Sequence, residues 1–170
     1  MRQIACVALG ANLGAPQDTV AAAFTALGDI ASTQLLRVSS LYCSAPVGLR
    51  NQPDFINAAA TLAVDDAVIS APQLLQRLFA IEAAFGRVRS IRNAPRTLDL
   101  DLLLFGDLRI DTPQLTLPHP RMAQRAFVLE PLHEIAPTLV IPGLGALADL
   151  LPTVAGQRIE RLAPAMSGVS

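Results

Sequence analysis

The chain has 170 residues and a net charge of −1, from 13 basic and 14 acidic side chains, and 52% of it is apolar. That length favours one domain over residues 1–170, with a core that needs no disulfide or structural metal. Near-neutral charge argues against a general nucleic-acid binder and the apolar content against a disordered chain, while no apolar run reaches the roughly 18 residues of a membrane span.

Residues 3–9 are apolar and β-prone and read as a buried strand, with 10–14 as the turn after it. Residues 16–27 read as a helix, with Pro16 in its first turn and Gly28 as its stop. Residues 34–42 and 55–64 are rich in β-branched or aromatic side chains and read as strands. The loop between them carries Pro46, Gly48 and Pro53. Ser70 and Gln73 predict a capping box for a helix whose apolar face is Leu74, Leu78, Ile81 and Phe85, and Gly86 ends it. An arginine-laden loop, 87–96, precedes the strongest strand, 97–105. Gly106-Asp107 predicts a hairpin that returns through 108–110. Beyond Pro118 the pattern is helical and short-stepped, and after Pro152 it defines no clear element. The order β-α-β-β-α-β predicts an α+β fold, a ferredoxin-like sandwich with a mainly antiparallel sheet and helices on both sides.

Every basic residue is arginine. Lysine Schiff-base chemistry and the Walker A loop are therefore excluded, and any phosphate must be met by arginine. Cys6 and Cys43 lack metal-ligand spacing and read as reduced thiols, and His119 and His133 are too few for a His-rich zinc site. The first ten residues hold too short an apolar stretch for a secretory signal, so the expected location is cytoplasmic.

Asp99 and Asp101 stand at i and i+2 of the strongest strand and project from one face. Alone, the pair reads as the polar side of an exposed strand. Just upstream, Arg87, Arg89, Arg92 and Arg96 crowd into ten residues. Paired carboxylates suit Mg²⁺ and clustered arginines suit phosphate oxygens, so together they point to phosphate chemistry. Phe55 and Asn57 share a strand face, where a ring and an amide can hold a flat heterocycle. His119 sits between Pro118 and Pro120 in a restricted backbone and could donate to a phosphate or form a rigid turn. Glu82 falls at the edge of a helical apolar face as a buried acid, an arginine partner or an exposed residue.

Several ordered segments carry a resemblance. They are Leu9-Gly10-Ala11-Asn12-Leu13-Gly14, Ser39-Ser40-Leu41-Tyr42, Ala45-Pro46-Val47-Gly48 and Asn51-Gln52-Pro53-Asp54-Phe55-Ile56-Asn57. Gly86-Arg87-Val88-Arg89, residues 94–106, Leu117-Pro118-His119-Pro120-Arg121 and Arg125-Ala126-Phe127 complete the set. Over residues 4–142 the chain resembles the 6-hydroxymethyl-7,8-dihydropterin pyrophosphokinase family of folate biosynthesis. The resemblance implies transfer of the β,γ-pyrophosphoryl group of ATP to the hydroxymethyl oxygen of a dihydropterin, with AMP leaving. It implies a monomer acting on small molecules, with two Mg²⁺ ions on Asp99 and Asp101 and ATP as co-substrate. Arg87 and Arg96 would join those aspartates in catalysis. Phe55 and Phe127 would stack the pterin, and Asn57 with Ser44, Ala45, Pro46 and Val47 would read its edge. Arg89, His119 and Arg125 would meet the triphosphate. Leu102, Leu115 and Thr116 would lie by the adenosine, and Glu82 would join the nucleotide site. Loops 48–53 and 87–95 would close over ATP. The alternative is a non-catalytic pterin- or nucleotide-binding module of the same fold, which has no need of both the aspartate pair and the arginine loop.

Overall fold

The computed structural model describes residues 2–45, 53–86 and 98–163. Strand β1 (Arg2–Ala11) runs through Gly10 and Ala11, two residues into the expected turn. Helix α1 (Pro16–Gly28) starts on its proline and buries Val20, Ala23 and Leu27, one helical stripe. Where the sequence predicts one strand over 34–42, two form: β2 (Thr33–Val38) and β3 (Tyr42–Ser44). Side chains break the ladder between them. The Ser39 hydroxyl accepts the backbone N–H of Ala59 at 2.9 Å, and the Ser40 N–H donates to the Glu134 carboxylate at 3.0 Å. Serine offers the backbone such alternatives to regular pairing.

Strand β4 (Phe55–Asp65) follows, then helix α2 (Ala71–Ala84). The capping box forms as read: Ser70 Oγ accepts the Gln73 N–H at 3.3 Å, and Gln73 Oε1 accepts the Ser70 N–H at 2.8 Å. Strand β5 (Asp99–Phe105) does not continue into the predicted hairpin. The returning segment instead forms β6 (Ile110–Asp111), paired with β7 (Thr116–Leu117). The outer edge of β5 is already taken. Leu103 O accepts from His119 N at 2.9 Å, and Leu100 N donates to Glu82 Oε2 at 2.8 Å. Helix α3 (Ala126–Ile135), the hairpin β8 (Val140–Ile141) and β9 (Gly145–Ala146), helix α4 (Leu147–Leu150) and strand β10 (Ile159–Arg161) complete the described chain.

The main sheet runs β10-β3-β4-β1-β5, with β2 also paired to β4, and each of these pairings is antiparallel. One face carries α1 and α2 over a core that includes Val7, Leu9, Leu62, Leu74, Leu78 and Leu100. The other carries α3, whose Leu129 and Leu132 pack with Cys6, Ala8, Ala59 and Leu103. Each leucine buried this way contributes about 1.5–3 kcal/mol relative to exposure, so β1 and β4 are held from both sides. The expected sandwich with helices on both sides is the observed one. Cys6 and Cys43 are free thiols, and burial pushes Cys6 up to about 12.

Strand β10 gives the C-terminal segment a place that the sequence left open. Arg161 lies 3.3 Å from Glu134, whose carboxylate also accepts from Tyr42 OH at 2.7 Å and Ser40 Oγ at 3.0 Å. Burial alone would raise the Glu134 pKa, but hydrogen bonds from Tyr42 and Ser40 outweigh it and hold the group below the usual carboxylate range. Residue 134 thus ties α3 to β3 and β10, and through Tyr42 to the sheet rows described next.

Candidate active site

Strand register builds one continuous row across the sheet. Tyr42 of β3 pairs with Asn57 of β4, Asn57 with Gly10 of β1, and Gly10 with Asp99 of β5. Directly paired residues project to the same face. In the adjacent row Ala8 lies between Ala59 and Asp101. Ala8 and Ala59 belong to the core under α3, so all of these side chains share the α3 face. Ala8 and Ala59 are buried, whereas Gly10, Asp99 and Asp101 are half-buried, so the row emerges from under the helix.

At one end of the row Asn57 is only 3% exposed. Its Nδ2 donates to Ser44 Oγ at 2.7 Å, which fixes the amide plane. Ser44 in turn pairs with Phe55, which is half-buried two residues before Asn57 on the same face. The expected ring and amide pairing on β4 is therefore present, and Ala45 is exposed just beyond it. Asn12, at the end of β1, is buried and donates from Nδ2 to Pro53 O at 3.3 Å, tying the two strand ends together.

At the other end Asp99 and Asp101 flank the buried Leu100, both on one face as the spacing predicts. Among the described residues no group of three or more His, Cys, Asp or Glu gathers into a metal site. Two carboxylates fit a hard cation that draws its remaining ligands from phosphate and water, as Mg²⁺ does. They do not fit a closed zinc site.

Glu82 is a buried acid and not an exposed one. It is 1% exposed, and its Oε2 accepts the N–H of Leu100, the residue between the two aspartates. Leu102 is 3% exposed and Leu115 is buried, both in the α1–α2 core, and Thr116 is half-buried in β7. The Leu102 side chain therefore belongs to the core.

Helix α3 brings two more expected residues to this face. The Arg125 guanidinium carbon lies 5.4 Å from the centre of the Phe127 ring. Gln157 pins this helix start, accepting from Ala126 N at 2.9 Å and donating to Gln124 O at 2.7 Å. His119 is half-buried, and its Nδ1 accepts the Arg121 N–H at 3.2 Å. Burial first, and then the Arg125 charge, lower the His119 pKa, while Asp99 opposes them. The ring is thus neutral at pH 7, with its hydrogen on Nε2 as a donor. A lowered folded value fixes the sign of the pH effect. Below about pH 6.5 the unfolded chain takes the proton first, so stability present above that pH is lost as pH falls through the folded pKa. Urea unfolding at pH 7.5 and 5.5 should show a larger acid-side loss in the wild type than in His119→Gln.

Arg87, Arg89, Arg92, Arg96, Pro46 and Val47, and with them the loops expected to close apart from Pro53, lie outside the described residues. Two features of the site were not singled out by sequence. One is the place of Gly10 between Asn57 and Asp99, which follows from inter-strand register. The other is Glu134, whose contacts to Ser40 and Tyr42 span more than 90 residues.

The family model described as 7,8-dihydro-6-hydroxymethylpterin-pyrophosphokinase matches residues 6–137. A Pseudomonas aeruginosa 2-amino-4-hydroxy-6-hydroxymethyldihydropteridine pyrophosphokinase is 46% identical over 95% of this chain and 98% of its own. The Haemophilus influenzae protein of the same name is 41% identical over 94% and 98%. A solved Plasmodium falciparum HPPK-DHPS, 15% identical, superposes with a TM-score of 0.66 over 90% of this chain and 45% of that one, a likeness of fold. With a family match across most of its length and relatives above 40% identity, the chain belongs to the 7,8-dihydro-6-hydroxymethylpterin-pyrophosphokinase family.

Proposed function

We propose that this chain transfers the β,γ-pyrophosphoryl group of ATP to the hydroxymethyl oxygen of 6-hydroxymethyl-7,8-dihydropterin. The new bond joins that oxygen to the β-phosphorus. The bond from the β-phosphorus to its bridging oxygen breaks, AMP keeps the electron pair, and the hydroxyl proton passes to solvent. The observation that carries the reading is the single row in which Asn57, Gly10 and Asp99 lie side by side. It sets the Asn57 amide and a carboxylate pair on one face, two strands apart.

Phe55 and Phe127 stack the pterin ring, while the amide of Asn57 and groups of Ser44, Ala45, Pro46 and Val47 meet its edge. Arg87, Arg89, Arg96, Arg125 and the Nε2–H of His119 hold the triphosphate. Leu102 by its backbone, Leu115 and Thr116 border the adenosine. Glu82 serves the nucleotide site from beneath, through β5. Asp99 and Asp101 hold two Mg²⁺ ions, which when bound neutralise phosphate charge and polarise the reacting groups. The protein's own work is to position the two substrates and to exclude water. The chain acts as a monomer on small molecules in the cytoplasm. A near-neutral charge favours small molecules over nucleic acid, free thiols fit a reducing compartment, and no helix among the described residues is long and apolar enough to cross a membrane. Gel filtration tests the monomer directly.

The experiment is AMP release from MgATP, with and without 6-hydroxymethyl-7,8-dihydropterin, beside Asp99→Ala. Pterin-dependent AMP that is lost in the variant is the expected result. Tight ATP binding with no AMP at any pterin concentration overturns the reading in favour of a silent binding module.

A further inference from the structure

Gly10 stands between Asn57 and Asp99, yet nothing among the described residues requires a glycine there. Its φ is not in the left-handed region, unlike those of Gly14 and Gly106. A Cβ built at Gly10 would lie 3.6 Å from Asn57 Oδ1 and 3.9 Å from Ile56 O, both ordinary van der Waals distances. Alanine would therefore fit among the described residues without strain. Glycine inside a strand sacrifices stability relative to alanine, because it orders more backbone and packs no side chain. The flanking Leu9 and Ala11 and the same-face Ala8 all carry a Cβ and are buried. Gly10 alone in this stretch is half-exposed and bare.

A strand glycine that neither its backbone conformation nor the packing of the described residues calls for marks a close approach by something else. The neighbours say what approaches. Adjacent strands lie about 4.8 Å apart, so the backbones of Asn57 and Asp99 are roughly 10 Å apart with Gly10 midway. A flat ring read by Asn57 must deliver its reacting arm to the carboxylate pair across that gap. Asn57 Oδ1 faces the same gap, since its Nδ2 is turned to Ser44.

We propose that the bare backbone at Gly10 is a specificity-determining element, the floor over which the hydroxymethyl arm crosses from the ring site at Asn57 to the aspartate pair. The inference rests on the pyrophosphoryl-transfer reading above and adds a residue to it. A methyl group at this position lifts the arm without touching the ring edge or the nucleotide. Displacements of about 1 Å from reacting geometry cost on the order of 10²-fold in rate.

The test is Gly10→Ala, with four readouts. The melting temperature should be unchanged or higher. Calorimetry should show affinity for a non-hydrolysable MgATP analogue within twofold of wild type. Affinity for 7,8-dihydropterin lacking the 6-substituent should also be kept. The kcat/KM for 6-hydroxymethyl-7,8-dihydropterin should fall about 10²-fold. Undiminished turnover in Gly10→Ala overturns the role of Gly10. So does an equal loss of affinity for the armless and the hydroxymethyl ligand, which would mean that the methyl disturbs the ring site. A wild type that releases no AMP overturns the transfer reading, and this inference with it.

Discussion

Asp101→Ala should lower pyrophosphoryl transfer by about 10³-fold or more while the protein stays folded. A loss of that size corresponds to about 4 kcal/mol of transition-state stabilisation, the scale expected when a metal-holding carboxylate is removed. The fold has little reason to fail. Asp101 is half-buried, it pairs with Ala8, and the leucines on either side carry the core contacts of β5. Two like charges at i and i+2 on one strand face repel, and the substitution relieves that repulsion. Calorimetric melting near the wild-type temperature, together with pterin-dependent AMP release reduced a thousandfold, is the expected pair of results. Near-native turnover in a folded variant would remove the metal assignment and leave the aspartates as the polar side of an edge strand.

How legible all this was in the sequence depends on the distance over which each feature is decided. The Ser70–Gln73 capping box, the proline start of α1 and the shared face of Asp99 and Asp101 are settled within a few residues, and each is observed as read. The break between β2 and β3 is not local. It needs Glu134, which accepts from Ser40 and Tyr42 from more than 90 residues away. The missing hairpin after β5 has the same origin: His119 and Glu82, from two other elements, occupy the strand edge that the returning chain would have used. Inter-strand register is the third case. Spacing along one strand placed Phe55 with Asn57 and Asp99 with Asp101, but only sheet order sets Asn57, Gly10 and Asp99 abreast. The ordered motifs that carry the resemblance lie at or beside the ends of these strands. The function of each piece is visible only where the strands meet.

Glu82 offers the other large effect, and its chemistry separates two roles. Its buried carboxylate accepts the N–H of Leu100 at 2.8 Å, on the edge of β5 between the two aspartates. Glu82→Ala removes that acceptor. A buried N–H without its partner costs about 1–3 kcal/mol, and the emptied volume adds to this. For a chain of this length each kcal/mol lowers the melting temperature by about 2–4 °C, so a drop of roughly 5–10 °C is expected. The amide of Leu100 should exchange with solvent faster, and turnover should fall with it, because the aspartates lose the clamp that fixes their spacing. Glu82→Gln keeps an acceptor oxygen at the same reach and discards the charge. If positioning is the role, Gln restores slow exchange at Leu100 and most of the turnover. If Gln protects the Leu100 amide yet turns over as poorly as Ala, the negative charge itself acts in the nucleotide site and the clamp is secondary. Hydrogen exchange and AMP release measured on the same two variants decide between them, because a strand edge responds to the shape of its acceptor and a phosphate site to its charge.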